Sequence, residues 1–304
     1  MTNRTPRQTL SFLKTRFAEV GLNLVKRHGQ NFLLDLNLLD LLVETADLQP
    51  HDVVLEVGTG TGSLTAAMAP RVAAVVTVEI DPRLHQLASE ELIDFDNVTM
   101  LLQDALRNKN NFDEAVLDAL RGRLAEEPGR RFKLVANLPY SVATPVISNL
   151  LLTDVSPESM TVTIQKELAD RIVASPGSKD YSALSVWVQS QCRAEIVRLL
   201  PPSAFWPRPL VTSAIVRIEL VPEKQERIDD LRYFHDFVRS MFFHRRKFLR
   251  SVVISAFKND LAKDEIDAIL AEQGFDADAR AEQLSVEAMI ALCDAMRKRL
   301  RRDS

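Results

Sequence analysis

Residues 53–65 read VVLEVGTGTGSLT, and this stretch decides the fold. A short β-rich apolar run leads straight into Gly58, Gly60 and Gly62, and a helical pattern follows. A strand, a glycine turn and a helix in that order open an α/β unit built on a parallel sheet. Glycines let the backbone turn sharply and let a ligand approach where a Cβ would collide. The spacing is G-x-G-x-G, and Ser63 stands where a dinucleotide fingerprint has glycine. A pyrophosphate on the helix N-terminus is therefore not the natural ligand. By itself the loop also reads as a purely structural tight turn.

Outward from this stretch, β-rich runs alternate with segments of helical period. Strands are predicted at 53–57, 74–79, 98–102, 132–136 and 160–164. Two more, 193–199 and 213–220, follow with no helix-length insert and are expected to pair antiparallel at one sheet edge. Helical spacing is clear at 36–46 and 82–93, and Leu10, Leu13, Phe17 and Val20 share one helical face. The polar stretch 107–131, with a helix at 112–126, reads as surface decoration without chemistry. Past Val221 only helices are predicted, at 229–243, 246–258, 263–273 and 285–300. The expected fold class is thus α/β, a Rossmann-like, doubly wound, mostly parallel sheet with an antiparallel edge strand, plus a small all-α C-terminal domain. The domain reading is 1–221 for a catalytic domain and 222–304 for a helical one.

The chain has 304 residues, 46% hydrophobic and 26% charged, a soluble globular composition. No apolar run is long enough to cross a bilayer, and the first residues lack the apolar core of a signal peptide. Cys192 and Cys293 form no C-x-x-C pair, so a cysteine metal site is disfavoured and a reducing, cytoplasmic setting is expected. No ligand cluster for a metal appears either. The net charge of −4 argues against a polyanion until its distribution is read. Residues 1–30 carry six Lys/Arg and one acid, and 239–250 and 297–302 carry five basic residues each and no acid. Each cluster alone reads as a solvated helix face; three of them in an acidic chain point to a segregated basic surface.

Two acids follow the glycine loop at successive strand ends. Glu79 closes VVTVE and lies 21 residues after Gly58, where a carboxylate accepts from ribose hydroxyls. Asp104 follows the next strand, placed to accept from an adenine amino group. Together they describe a nucleoside pocket at the carboxyl ends of the strands. Glu56, inside its strand, reads either as a satisfied core acid or as a neighbour of a cationic ligand.

After the fourth strand comes Asn137-Leu138-Pro139-Tyr140. The tetrapeptide resembles the Asn-Pro-Pro-Tyr type of methyltransferases that act on an amino nitrogen of a base. The lone pair of adenine N6 is delocalised into the ring and is a poor nucleophile. Acceptors aimed at its N–H bonds, the Asn137 side-chain oxygen and the Leu138 carbonyl, favour a pyramidal nitrogen. Pro139 stiffens the backbone presenting that carbonyl, and Tyr140 offers a flat face to a displaced adenine.

The chain resembles the KsgA family of ribosomal small-subunit adenine dimethyltransferases. The resemblance runs from about Lys26 to about residue 290 and rests on KRHGQNFLLD (26–35), EVGTGTGSLT (56–65), NLPYSVATPV (137–146), QKELADRIVASPGSKDYSALSVWVQ (165–189), PPSAFWPRPLVTSAIVRI (201–218) and FFHRRKFLR (242–250). It implies a class I methyltransferase fold, with S-adenosylmethionine as methyl donor and no metal. Asn31 and Leu33 would join Gly58, Gly60, Glu79, Asp104 and Asn137 around that cofactor. Phe205 would close on the adenine opposite Tyr140; read from its own surroundings it is instead an anchor for its loop. Arg245, Arg246, Lys247 and Arg250 would grip rRNA. The implied substrate is two adjacent adenines near the 3′ end of 16S rRNA, in the small subunit or its precursor, each dimethylated by a cytoplasmic monomer with no membrane association. Leu210 and Thr212 depart from the Lys and Asp usual there. Two alternatives are an Erm-type 23S rRNA adenine methyltransferase and a ribosome-assembly or transcription factor with a vestigial pocket.

Overall fold

The computed structural model describes residues 10–21, 31–244 and 247–302. It forms two compact units, Met1–Ala169 with Glu195–Glu219, and Asp170–Ala194 with Leu220–Ser304. The helical segment 170–194 thus joins the residues beyond 220, which the sequence pattern alone set apart.

The first unit starts with α1 (Leu10–Glu19), β1 (Phe32–Leu33) and α2 (Leu36–Thr45). Alternating elements follow: β2 (Asp52–Val57), α3 (Ser63–Met68), β3 (Ala74–Glu79), α4 (Pro82–Glu91) and β4 (Val98–Leu102). The hairpin β5 (Leu106–Asn108) and β6 (Asn111–Phe112) precedes α5 (Glu114–Ala125), β7 (Arg131–Asn137), α6 (Ala143–Leu150) and β8 (Ser159–Gln165). In chain order α7 (Lys166–Val173) and α8 (Ala183–Gln189) follow, α8 belonging to the second unit, before the first unit resumes with β9 (Cys192–Leu200), β10 (Phe205–Trp206) and β11 (Ser213–Leu220).

Seven strands make one sheet in the order β4-β3-β2-β7-β8-β11-β9. The pairs β4–β3, β3–β2, β2–β7 and β7–β8 are parallel. β11 runs antiparallel to β8, with Ala214 opposite Ile164. The antiparallel strand therefore lies one place in from the edge, and β9 is the edge strand. Every residue of β2 and β3 is buried, as expected of parallel strands covered on both faces. Leu39, Leu42 and Met68 from α2 and α3 meet Val54, Val75, Val135 and Ile215 of the sheet.

The stretch 107–131 is not decoration. α5 packs on β2 and β3 with Val116 and Leu120 fully buried. It is the crossover helix that carries the chain back to β7, and its apolar stripe was hidden among charges. Beneath the sheet, Lys133 on β7 pairs with Asp52 on β2 at 2.8 Å, both buried. The Gln49 N–H donates to Asp52 Oδ2 at 2.7 Å and Lys133 Nζ to the Asp47 carbonyl at 2.6 Å. Asp52 Oδ1 has no hydrogen bond among the described residues and faces Arg131 Nε at 3.6 Å.

The second unit holds α8, α9 (Pro222–Gln225), α10 (Leu231–Phe242), α11 (Leu249–Ala256), α12 (Lys263–Glu272) and α13 (Val286–Arg302). α10 turns Phe234, Phe237, Val238 and Met241 inward. Trp187 of α8 lies against Phe234 and His235, with centroids 6.3 and 4.8 Å away. The Tyr181 hydroxyl donates to the Leu284 carbonyl at 3.0 Å, which explains why 170–194 belongs here. Among the described residues, no helix is long and apolar enough to cross a membrane.

Candidate active site

The glycine loop leaves β2 in a conformation that ordinary side chains resist: φ is 88° at Gly58 and 58° at Gly60. Space is equally restrictive. A Cβ on Gly58 would stand 3.2 Å from the Pro139 ring, and one on Gly60 3.3 Å from Phe32. The loop thus brings the glycine turn, the tetrapeptide and the segment after residue 30 together. The Gly58 N–H donates to the Val78 carbonyl at 2.8 Å, holding the loop over the end of β3.

Glu79 fixes the loop from the other side. One carboxylate oxygen accepts the Gly60 N–H at 2.9 Å and the other the Asp81 N–H at 3.0 Å. Burial pushes its pKa up, and these backbone donors oppose the shift. Glu56 lies fully buried beneath the turn. Its Oε2 accepts from the Thr65 hydroxyl and, at 3.0 Å, from that of Thr77, which meets Thr59 at 2.6 Å. Burial outweighs those donors and moves Glu56 up to about 8. Of its two sequence readings, the satisfied core acid describes these contacts.

Asn137 ends β7. Its Nδ2 donates to the Asn31 carbonyl at 2.8 Å, so its Oδ1 is the amide atom left to accept from a donor. The Leu138 N–H donates to the Thr163 carbonyl at 3.2 Å, and the Pro139 carbonyl closes a turn with Val142 at 3.0 Å. Tyr140 is half-buried, and its hydroxyl lies 2.6 Å from Ser213 Oγ on β11. Burial raises its pKa, so it stays a neutral phenol near pH 7.

These elements surround a cavity of about 340 Å³. Asn31, Gly58, Gly60, Glu79, Asp104 and Asn137 line it, as do Leu138, Pro139 and Tyr140. Asp104 accepts the Leu106 N–H at 2.9 Å. Two other site residues lie elsewhere. Leu33 packs on the core cluster and faces a neighbouring cavity of about 60 Å³. Phe205 is 3% exposed within that core cluster and anchors its loop. β10 pairs with β1, setting Leu33 opposite Phe205 and Phe32 opposite Trp206.

Sequence reasoning missed Phe32, Ile80 and Ser213. Ile80, apolar yet half-exposed directly after the strand-end Glu79, carried a legible signal. Ser213 carried none, because its role depends on which strand neighbours β8.

The basic clusters are less free than their sequence suggests. Arg16 pairs with Glu19 at 2.7 Å and also with Glu90. Arg250 makes a two-point contact with Asp267, at 2.6 and 2.8 Å. Arg297 reaches Asp230 at 3.0 Å and stands over the Tyr233 ring. Lys247 is exposed; Arg245 and Arg246 lie outside the described residues.

The sheet order, the glycine turn after β2 and the acid at the end of β3 define a Rossmann-like methyltransferase. Residues 21–298 match the family described as ribosomal RNA adenine dimethylase. The chain belongs to that family. It is 40% identical to ribosomal RNA small subunit methyltransferase A of Lactiplantibacillus plantarum over 91% of each chain. It is 37% identical to the protein of that name in Clostridium acetobutylicum, over 88% of this chain and 92% of that one. The fold is shared with a dimethyladenosine transferase of Plasmodium falciparum (TM-score 0.72, 22% identity, 87% and 96% covered). It is also shared with the 23S rRNA methyltransferase ErmE (TM-score 0.61, 24% identity, 88% and 99% covered).

Proposed function

We propose that the chain dimethylates N6 of two adjacent adenines near the 3′ end of 16S rRNA, acting as a cytoplasmic monomer on the small ribosomal subunit or its precursor, with S-adenosylmethionine as donor. One observation carries the reading: the Asn137–Tyr140 tetrapeptide and the Gly58, Gly60, Glu79 and Asp104 set line the same cavity. Its volume of about 340 Å³ falls within the range of small-ligand sites, and a Cβ at Gly58 or Gly60 would crowd Pro139 or Phe32 in its wall. The residues fit a nucleoside carrying a short cationic arm.

S-adenosylmethionine, when bound, supplies an electrophilic methyl on a sulfonium. Glu79 would accept from its ribose hydroxyls and Asp104 from its adenine amino group, and Gly58 and Gly60 would admit it against bare backbone. Asn31 positions Asn137 through its carbonyl. Asn137 Oδ1 and the Leu138 carbonyl accept the two N6–H bonds of the target base, which localises the nitrogen lone pair. Tyr140 stacks on the extruded ring. Positioning and fixed dipoles supply the acceleration, and the alkylated amine is acidic enough to lose its proton to water. Phe205 contributes by anchoring its loop, and Leu33 by packing on the core opposite Phe205. Lys247, Arg250 and the neighbouring Arg245 and Arg246 engage rRNA phosphates, with the helical residues 222–304 as an RNA-binding region.

The test is transfer of labelled methyl to small subunits lacking the modification, with 23S rRNA and large subunits in parallel. Label on small-subunit adenine, lost in Asn137→Ala, supports the reading. Label on 23S rRNA alone, or none anywhere, overturns it.

A further inference from the structure

Leu210 is fully exposed, and its neighbour Val211 is 42% exposed. A lone exposed leucine usually means nothing; this one is held in place on both sides. Upstream, Phe205 is buried in the core, and Trp206 stacks on Phe17 at 5.5 Å while pairing with Phe32. Downstream, the Thr212 carbonyl accepts the Lys166 N–H at 2.9 Å, and Ser213 binds the Tyr140 hydroxyl at 2.6 Å. Between the anchors, Pro207 and Pro209 fix their own φ angles. The chain therefore presents an apolar side chain to water on a short, constrained loop. Three peptide units separate it from Ser213, so its Cα stands at most roughly 11 Å from that anchor of Tyr140. Arg208 beside it is exposed and has no carboxylate partner among the described residues.

Resting on the function proposed above, the geometry points to Leu210 as an apolar wedge that enters the RNA base stack where the target adenine leaves it. Delivering a base to Tyr140 requires unstacking it. Proteins that open a stack commonly insert Leu, Ile, Phe or Met between bases, and arginines on phosphates fix the register of such contacts. Leu210 with Arg208 supplies that pair of groups one loop away from the stacking ring. The occupant is an unstacked base step of the rRNA. A fixed apolar side chain opens it without adding charge, so its contribution is insensitive to salt.

The experiment compares wild type, Leu210→Ala, Leu210→Met and Leu210→Lys in single-turnover methyl transfer to small subunits lacking the modification. Subunit binding is measured at two salt concentrations, and cofactor affinity by calorimetry. Because the side chain is fully exposed, none of these variants is expected to change thermal stability. Leu210→Ala should slow transfer at saturating subunit by about tenfold, with cofactor affinity unchanged and the salt slope of binding unaltered. Leu210→Met should restore most of the rate. Leu210→Lys should stay slow while steepening the salt slope. Wild-type rate in Leu210→Ala overturns the wedge and leaves the methyltransferase reading standing. A loss confined to subunit affinity, or full rescue by lysine, makes Leu210 a surface contact and also overturns it. No transfer by the wild type overturns the functional reading and the wedge with it.

Discussion

The Tyr140 hydroxyl and Ser213 Oγ lie 2.6 Å apart although 73 residues separate them in the chain. The bond ties the loop after β7 to the antiparallel strand β11, two strands away in the sheet. It anchors the hydroxyl end of the Tyr140 ring through a side chain that does not line the cavity. Ser213→Ala and Tyr140→Phe should each lower methyl transfer at saturating substrate by roughly fivefold, the worth of one hydrogen bond. The double variant should be no worse than either, because both remove the same bond. Tyr140→Ala should remove most activity, since stacking contributes about 1–3 kcal/mol per base. Additive losses in the double variant would place Ser213 in a separate role.

Gly58 makes a second relationship testable. Its φ of 88° and the 3.2 Å separation of a Cβ from Pro139 leave alanine both strained and crowded. Gly58→Ala should cost about 1–2 kcal/mol of stability and weaken binding of S-adenosylhomocysteine, measured by calorimetry. It should also slow the chemical step, because Pro139 must shift. Unchanged ligand affinity would remove the loop from the cofactor site.

The buried Glu56 has a pH signature. Its folded pKa of about 8 exceeds the ordinary 4.5, so the unfolded chain releases this proton first. Glu56 therefore costs stability progressively as pH rises from about 4.5 to about 8. A Glu56→Gln variant stays neutral throughout. Its stability relative to wild type in urea titrations should improve across that window and level off above it. A constant difference between pH 5 and pH 8 would show that Glu56 is already ionised in the folded protein at pH 5.

Lys133 and Asp52 form the buried pair at 2.8 Å. Lys133→Met leaves the buried Asp52 charge with the more distant Arg131, 3.6 Å away, and should destabilise the protein by about 3 kcal/mol, the lower end for a broken buried pair. The pair lies at the opposite end of the sheet from the cavity. Methyl transfer by the folded fraction should be unchanged, which assays well below the melting temperature can check.

Lys247 and Arg250 should differ in their contributions to RNA binding. Lys247→Ala should reduce the slope of log affinity against log salt by about one. Arg250 is held by Asp267, so Arg250→Ala should change the slope less, and Asp267→Asn should tighten binding by freeing the guanidinium. An equal slope change for Lys247→Ala and Arg250→Ala would show that RNA displaces Asp267.

The order of elements, the glycine turn, Glu79, Asp104 and Asn137–Tyr140 were all legible in the sequence. Each depends on local chemistry: periodicity of apolar residues, glycine's access to positive φ, and an acid at a strand's end. Residues 36–45 and 82–91 form helices where their spacing placed them. Local pattern does not say which strands become neighbours, and what remained hidden follows from that. β11 inserts between β8 and β9, and this alone brings Ser213 to Tyr140. Likewise, α5 is a core crossover because the sheet needs its second face covered, although charges masked its apolar stripe. Phe205 sits in the core because β10 pairs with β1. The basic clusters lost part of their free charge to Glu90, Asp267 and Asp230, partners far away in the chain. Sequence by itself determined the elements and the chemistry at their ends. Only the tertiary structure decided partners, because long-range pairing and burial are settled by the packing of the whole sheet.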